Sequence, residues 1–250
     1  MSIVDKNRFK DGHYIGLPAS HNDLFVKTRA ELVRQIPNFI GNDLSMVDIG
    51  CGNGNTVVLL AKEFQNCTGV DIFPENKVAF EQTCSEQDLQ NCQILLMNVE
   101  EEVPDQKFDR LICFEVIEHF KSEKTVRRFK HFLKPGGKIA ITVPHKWWLL
   151  ETHGAKLPLL PWNRVPFFSW LPRPLHERWA NARIYTKKRI VRLLEDSGFE
   201  VKEAKLMTAP LDVMKDSSLK RFLKKYIFRG KITNNPFLAT NVFVWAELKQ

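Results

Sequence analysis

A chain of 250 residues with 44% hydrophobic and 26% charged residues has the composition of an ordinary soluble globular protein, long enough for one well-buried domain or one domain carrying an insertion. Its formal charge of +8 biases it toward anionic partners: nucleic acid, an anionic membrane surface or an acidic small molecule. No run of 18 apolar residues exists, the opening MSIVDKNRFKDGHY is polar and charged, and the five cysteines contain no C-x-x-C pair. These features argue against a membrane span, a secretory leader and a disulfide or zinc framework, and for a reducing, cytoplasmic compartment.

In chain order, a polar lead to about residue 20 gives way to a helix over 20–36. Leu24, Phe25, Thr28, Leu32 and Ile36 fall at helical spacing there, after Ser20 or Asn22 as cap. Short apolar runs then alternate with helical patterns. Strands are predicted at 46–49, 67–72, 94–97, 111–114 and 138–143, with helices at 56–64, 75–84 (opened by Pro74) and 123–132 (stopped by KPGG at 134–137). This rhythm predicts an α/β fold with a doubly wound, mostly parallel sheet. It breaks over 144–183, which shows no period, and residues 144–181 hold five of the six tryptophans and six of the thirteen prolines. A helix over 186–197, capped by Thr186, and a strand at 199–206 resume the order. A basic amphipathic excursion over 210–232 precedes a last strand at 238–248, expected to pair antiparallel with the one before it.

The stretch 46-MVDIGCGNGNT-56 places glycines at 50, 52 and 54 after the first strand of the sheet. Doubly wound folds bind nucleotides at such a turn, where missing Cβ atoms let a ligand touch the backbone. The dinucleotide pattern G-x-G-x-x-G fails, because its third glycine would be Asn55 or Val57, and no P-loop lysine follows. An acid at the strand end, Asp48, suits a ligand with an ammonium or sulfonium group better than a pyrophosphate. Asp71 stands 19 residues beyond Gly52, one strand-helix-strand step, and a carboxylate is a natural acceptor for a vicinal diol.

The string VDIGCGNG resembles the first motif of the class I S-adenosylmethionine-dependent methyltransferases, and further similarities follow in order over about residues 40–205. They are GVDIFPE at 69–75, MNVEE at 97–101, FDRLICFEVIEHF at 108–120, LKPGGKIAITVP at 133–144 and IYTKKRIVRLLEDSGFEV at 184–201. The resemblance implies a single methyltransferase domain over 1–250, a seven-stranded sheet with an antiparallel last strand, and S-adenosyl-L-methionine as cofactor. The implied cofactor contacts are Asp48, Gly50, Cys51, Gly52 and Gly54 in the loop, Asp71 on the ribose hydroxyls, Ile72 beside adenine, Asn98 and Val99 on the adenine edge, and Glu115.

Methyl transfer needs an aligned nucleophile and often a base. The string 115-EVIEH-119 supplies candidates: His119 as general base, with Glu118 and His153. It also matches E-x-x-E-H, which in small-RNA 2′-O-methyltransferases supplies magnesium ligands, and quinone-pathway O-methyltransferases carry a similar string. Glu115, Glu118 and His119 are therefore the candidate metal ligands, completed by His145 or His153, beside the alternative of a metal-free polar loop. The 144–183 insertion reads as an acceptor lid, a lipid interface or a base-stacking surface. The leading expectation is methyl transfer to oxygen of a small or amphiphilic metabolite, lipid included, with the protein peripheral on an anionic membrane. The alternatives are an RNA methyltransferase and a cofactor-binding protein without turnover.

Overall fold

A computed structural model describes residues 9–10, 13–14, 23–151, 153–157, 160–162, 166–212 and 214–249. Two short paired strands, β1 (Phe9–Lys10) and β2 (His13–Tyr14), precede helix α1 (Leu24–Arg34). The alternating layers follow: β3 (Gly41–Ile49), α2 (Asn55–Leu60), β4 (Phe64–Asp71), α3 (Pro74–Glu86), β5 (Cys92–Leu96), β6 (Phe108–Phe114) and β7 (Leu133–Pro144). The 144–183 segment holds the pair β8 (Ala155–Leu157) and β9 (Leu160–Trp162), then α4 (Arg173–Trp179). The chain closes with α5 (Lys187–Glu195), β10 (Phe199–Thr208), α6 (Ser218–Tyr226), β11 (Ile232–Thr233) and β12 (Ala239–Leu248).

The main sheet runs β11-β10-β12-β7-β6-β3-β4-β5. Strands β5, β4, β3, β6 and β7 are mutually parallel, and β12 lies antiparallel between β7 and β10. The sheet thus has eight strands rather than seven, because Ile232 and Thr233 add a two-residue edge to β10. The chain moves outward from β3 to β4 and β5, then returns to the other side of β3 with β6. That reversal opens a crevice at the carboxyl ends of the strands.

Period-two alternation divides the core between the two faces of the sheet. Val47, Ile49, Leu111, Cys113, Ile139 and Ile141 share one cluster. Met46, Ile112 and Ala140 join the other with Leu32, Val33 and Phe39.

Several local outcomes differ from the sequence expectation. Helix α1 begins behind Asp23 and buries Val26, Thr28, Arg29, Leu32 and Val33, while Leu24 is 42% exposed. Ser20 and Asn22 lie outside the described residues. Residues 123–132 form a 3-10 helix, not an α-helix. Val126, Phe129 and Phe132 are all fully buried, and their spacing of three suits a helix with three residues per turn. The KPGG stretch lies within β7 rather than in a turn before it. The aperiodic 144–183 segment contains α4, opened by Pro172 and Pro174. Expected features that recur include Pro74 at the start of α3, the Thr186 cap accepting from Arg189 N, and the antiparallel β10–β12 pair. No described helix is long and apolar enough to cross a membrane.

Ion pairs tie the insertion to the sheet's helical layer. Glu123 pairs with Arg173 and Arg189 at 2.8 Å each, and Glu177 pairs with the same two arginines at 3.0 and 2.7 Å. Burial pushes the Glu123 carboxyl up, but Arg189 and then Arg173 outweigh it and hold it below its usual range. Helix α4 is thereby fixed against α5 and the 3-10 helix.

Candidate active site

A cavity of about 490 Å³ opens at the strand carboxyl ends, walled by the glycine loop, the ends of β4, β5 and β6, and α1. The loop leaves β3 with Gly50 N and Cys51 N both donating to Val70 O, at 2.7 and 3.1 Å. Gly50, Gly52 and Gly54 all take positive φ, +72°, +52° and +79°, a region that side chains disfavour. Their surroundings differ. A Cβ at Gly50 would overlap Val116, and one at Gly54 would lie 2.6 Å from the Phe80 ring, whereas nothing lies within 4 Å of one at Gly52. Gly52 alone of the three turns its bare face to open space. Gly54 does not line the cavity, and its lack of a side chain serves the packing of α3.

Asp71, at the end of β4, is 8% exposed. One carboxylate oxygen accepts from Gly52 N at 2.9 Å and the other from Phe73 N at 3.0 Å. Each oxygen keeps a second lone pair for a ligand. Asp48 is buried on the α1 side, and burial, then Asp71, pushes its carboxyl well above the usual range against the pull of Arg29. Arg29 is the one arginine or lysine in the cavity wall among the described residues. Its guanidinium stacks on Phe25 (4.3 Å) and Phe114 (5.6 Å) and meets Glu115 Oε1 at 3.3 Å. Sequence reasoning missed it, because α1 reads as an apolar stripe. Asn98 lines the cavity and also accepts from Glu100 N through its side chain at 3.1 Å, a turn-forming contact.

Beyond β6 the chain bends sharply. Glu115 adopts φ +58°, which costs a non-glycine residue about 1–3 kcal/mol, and a 3-10 turn then carries Ile117–His119. The turn drives Glu118 inward to 1% exposure. Neither Glu118 carboxylate oxygen has a hydrogen-bond partner among the described residues. Its Oε1 faces His119 Nε2 at 3.9 Å and His153 Nε2 at 3.7 Å, and the two imidazoles meet edge to face at 5.2 Å. One ligand atom from each of the three can lie within 4.8 Å of the others. Burial, then Glu115, pushes the Glu118 carboxyl well above its usual range. Burial, then His153, lowers His119 to about 3, which leaves its imidazole neutral. Glu118 and His119 also line a second cavity of about 260 Å³ with Glu177, Asn181 and Arg183.

A family model described as "Methyltransferase domain" matches residues 22–204. The chain belongs to the class I S-adenosylmethionine-dependent methyltransferases. The methyltransferase is 25% identical over 201 residues to a ubiquinone biosynthesis O-methyltransferase of Rickettsia akari (strain Hartford), covering 78% of this chain and 74% of the relative. It is 32% identical over 106 residues to (S)-coclaurine N-methyltransferase of Papaver somniferum, covering 41% of this chain and 30% of that enzyme. Among solved structures, an S-adenosylmethionine-dependent methyltransferase from Clostridium acetobutylicum ATCC 824 superposes with a TM-score of 0.61 at 14% identity, covering 91% of this chain and 93% of that one. This last likeness shows the fold.

S-adenosylmethionine is the methyltransferase's cofactor, and the cavity suits its charges. Arg29 offers a cation, Asp48, Asp71 and Glu115 offer acids, and Gly52 offers bare backbone. Asp48, Gly50, Cys51, Gly52, Asp71, Ile72, Asn98, Val99, Glu115, His119 and His153 all reach the cavity wall. Three expected site residues stand apart: Gly54 is off the cavity wall, and two candidate ligands lie outside the Glu118 cluster. Glu115 does not join the Glu118 cluster, because Arg29 holds it. His145 sits elsewhere, donating from Nδ1 to Tyr185 O at 3.1 Å, and of the two candidate histidines it is His153 that lies beside Glu118 and His119.

Proposed function

We propose that this methyltransferase methylates a hydroxyl of a small amphiphilic acceptor, aided by a divalent cation held by Glu118, His119 and His153. The observation that carries this reading is Glu118, a buried carboxylate with no hydrogen-bond partner among the described residues, set against two imidazoles beside the cofactor cavity. A buried carboxylate in that state is expensive unless a cation compensates it. Bound there, a cation would lower the pKa of an acceptor oxygen and orient it. A carboxylate with two imidazoles favours a first-row transition ion over the magnesium that the E-x-x-E-H resemblance suggests.

The chain's own groups then have distinct tasks. Asp71 holds the ribose hydroxyls, with Ile72, Asn98 and Val99 around the adenine. Arg29 meets the carboxylate of the methionine moiety, and Glu115 and Asp48 lie near its positive centres. Burial and His153 weaken His119 as a base, so its neutral imidazole suits a ligand's task better than proton abstraction. The 144–183 segment contributes His153 and forms the acceptor side. Relatives named as ubiquinone biosynthesis O-methyltransferases support oxygen as the target and an amphiphile as the acceptor. The test uses methyl-labelled S-adenosylmethionine with a host-cell extract, partitioned into organic, aqueous, RNA and protein fractions. Label is expected in the organic phase, abolished by chelator and restored by Mn²⁺ or Co²⁺. Label in RNA, or label indifferent to exhaustive chelation, would discard the reading.

Helix α6 supports use at an anionic membrane. It buries no residue, and Leu219, Phe222 and Tyr226 are each more than half exposed. Lys220, Arg221, Lys224 and Lys225 alternate with them, and Arg229 and Lys231 follow. A nine-residue helix is marginal in water without packing, and this pattern fits an interface with anionic lipid. Sedimentation with vesicles rich in phosphatidylglycerol is expected and should fade as salt rises, whereas phosphatidylcholine vesicles should leave the protein in solution. Paired substitution of Phe222 and Lys225 by glutamate should abolish pelleting.

A further inference from the structure

The 144–183 segment brings a second histidine-carboxylate pair close behind the Glu118 cluster. Glu151 and His176 are 1% and 0% exposed. His176 donates from Nε2 to Glu151 Oε2 at 2.8 Å. Glu151 Oε1 accepts from the backbone N–H of His153 at 3.0 Å and lies 3.9 Å from His153 Nδ1. His153 therefore stands between two buried carboxylates, with Nε2 facing Glu118 and Nδ1 facing Glu151.

The loop that carries His153 is held on its other side by the residues after α4. Asn181 Nδ2 donates to His153 O at 3.0 Å, Asn181 N donates to Gly154 O at 3.2 Å, and Ala155 bridges Ala180. Glu118 O in turn accepts from Arg183 N at 3.1 Å. The segment that looks aperiodic in sequence thus clasps both partners of the cluster.

We infer that Glu151, anchored by His176, is the positioning residue that holds His153 as the Nδ1–H tautomer, so that the Nε2 lone pair faces Glu118 and His119. The inference rests on the reading of Glu118, His119 and His153 as one functional group. A histidine that offers one nitrogen as a ligand or base needs its other nitrogen's proton held, and a carboxylate is a common holder. Packing alone leaves unexplained why the segment buries a hydrogen-bonded carboxyl and imidazole, since hydrophobic residues of similar volume would serve that purpose at least as well.

The tautomer is read directly by nitrogen-15 NMR on histidine-labelled, cation-free protein, and no variant is needed for the first result. His153 is expected as Nδ1–H. Glu151→Gln keeps an acceptor for His153 N, turns its amide N–H toward His176, which must then accept on Nε2, and removes the charge; it should shift His153 toward Nε2–H. The same variant should bind Co²⁺ about 10–100-fold more weakly, while its affinity for S-adenosylhomocysteine stays that of the wild type. A wild-type Nε2–H tautomer, or a Glu151→Gln protein that retains Nδ1–H, overturns the inference. Should the wild type bind no Co²⁺, the metal reading falls and the tautomer result alone decides the role of Glu151.

Discussion

Asp71→Ala is expected to lower the affinity for S-adenosylmethionine at least about 100-fold, measured by titration calorimetry with S-adenosylhomocysteine as a non-reacting control. The carboxylate is placed to take two ribose hydroxyls, and a hydrogen bond to a charged group contributes about 1.5–3 kcal/mol. Each 1.4 kcal/mol is about tenfold in affinity. The same oxygens also tether Gly52 N and Phe73 N, so the substitution releases the loop on one side of the ligand and the adenine wall on the other. Asp71→Asn separates the two effects. Its carbonyl can still accept one backbone N–H, but its amide must face the other, donor against donor. It should therefore bind no better than the alanine variant despite its nearly identical shape. An affinity within about threefold of wild type in either variant would remove Asp71 from the ribose.

Much of this half of the site is legible in the sequence. The interval from Gly52 to Asp71 equals one strand-helix-strand step, and the parallel pairing of β3 with β4 sets their ends side by side. Sequence alone does not separate the three glycines. Positive φ demands glycine at all of them, yet Val116 and Phe80 fill the space beside Gly50 and Gly54, and only Gly52 is left for a ligand. Those neighbours come from distant elements, so no local pattern records them. Arg29 escapes for a related reason. On the pattern of α1 it is one more polar residue, and its burial becomes evident only when Phe25, Phe114 and Glu115 close around it.

The acceptor half is less legible, because its geometry depends on a segment without period. E-V-I-E-H predicts a cluster but not its membership. The left-handed turn at Glu115 points that carboxylate to Arg29 and sends Glu118 inward, an exchange invisible in the string. The choice between His145 and His153 also depends on the loop clasped by Asn181, which lies 28 residues beyond His153.

Glu118→Gln should oppose stability to function. In the presence of chelator the variant is expected to melt above the wild type, because an acid whose pKa is raised by burial and by Glu115 destabilises the fold at neutral pH, and the amide does not titrate. Relief of such a group is worth about 1–3 kcal/mol, and each kcal/mol moves the midpoint of a protein of this size by about 2–4 °C. With Co²⁺ or Mn²⁺ at 100 times the dissociation constant, the order should invert. Binding to the folded wild type then adds about 2.7 kcal/mol, and the amide, a weaker ligand, gains little. Methyl transfer should fall at least about 100-fold in the variant, while affinity for S-adenosylhomocysteine is retained, since Glu118 does not line the cofactor cavity. A residue kept only for packing would give higher or equal stability in every buffer and no loss of transfer. A residue kept only as a base would lose transfer without any crossing of the melting curves. The crossing marks a carboxylate whose burial is tolerated because a cation is meant to meet it.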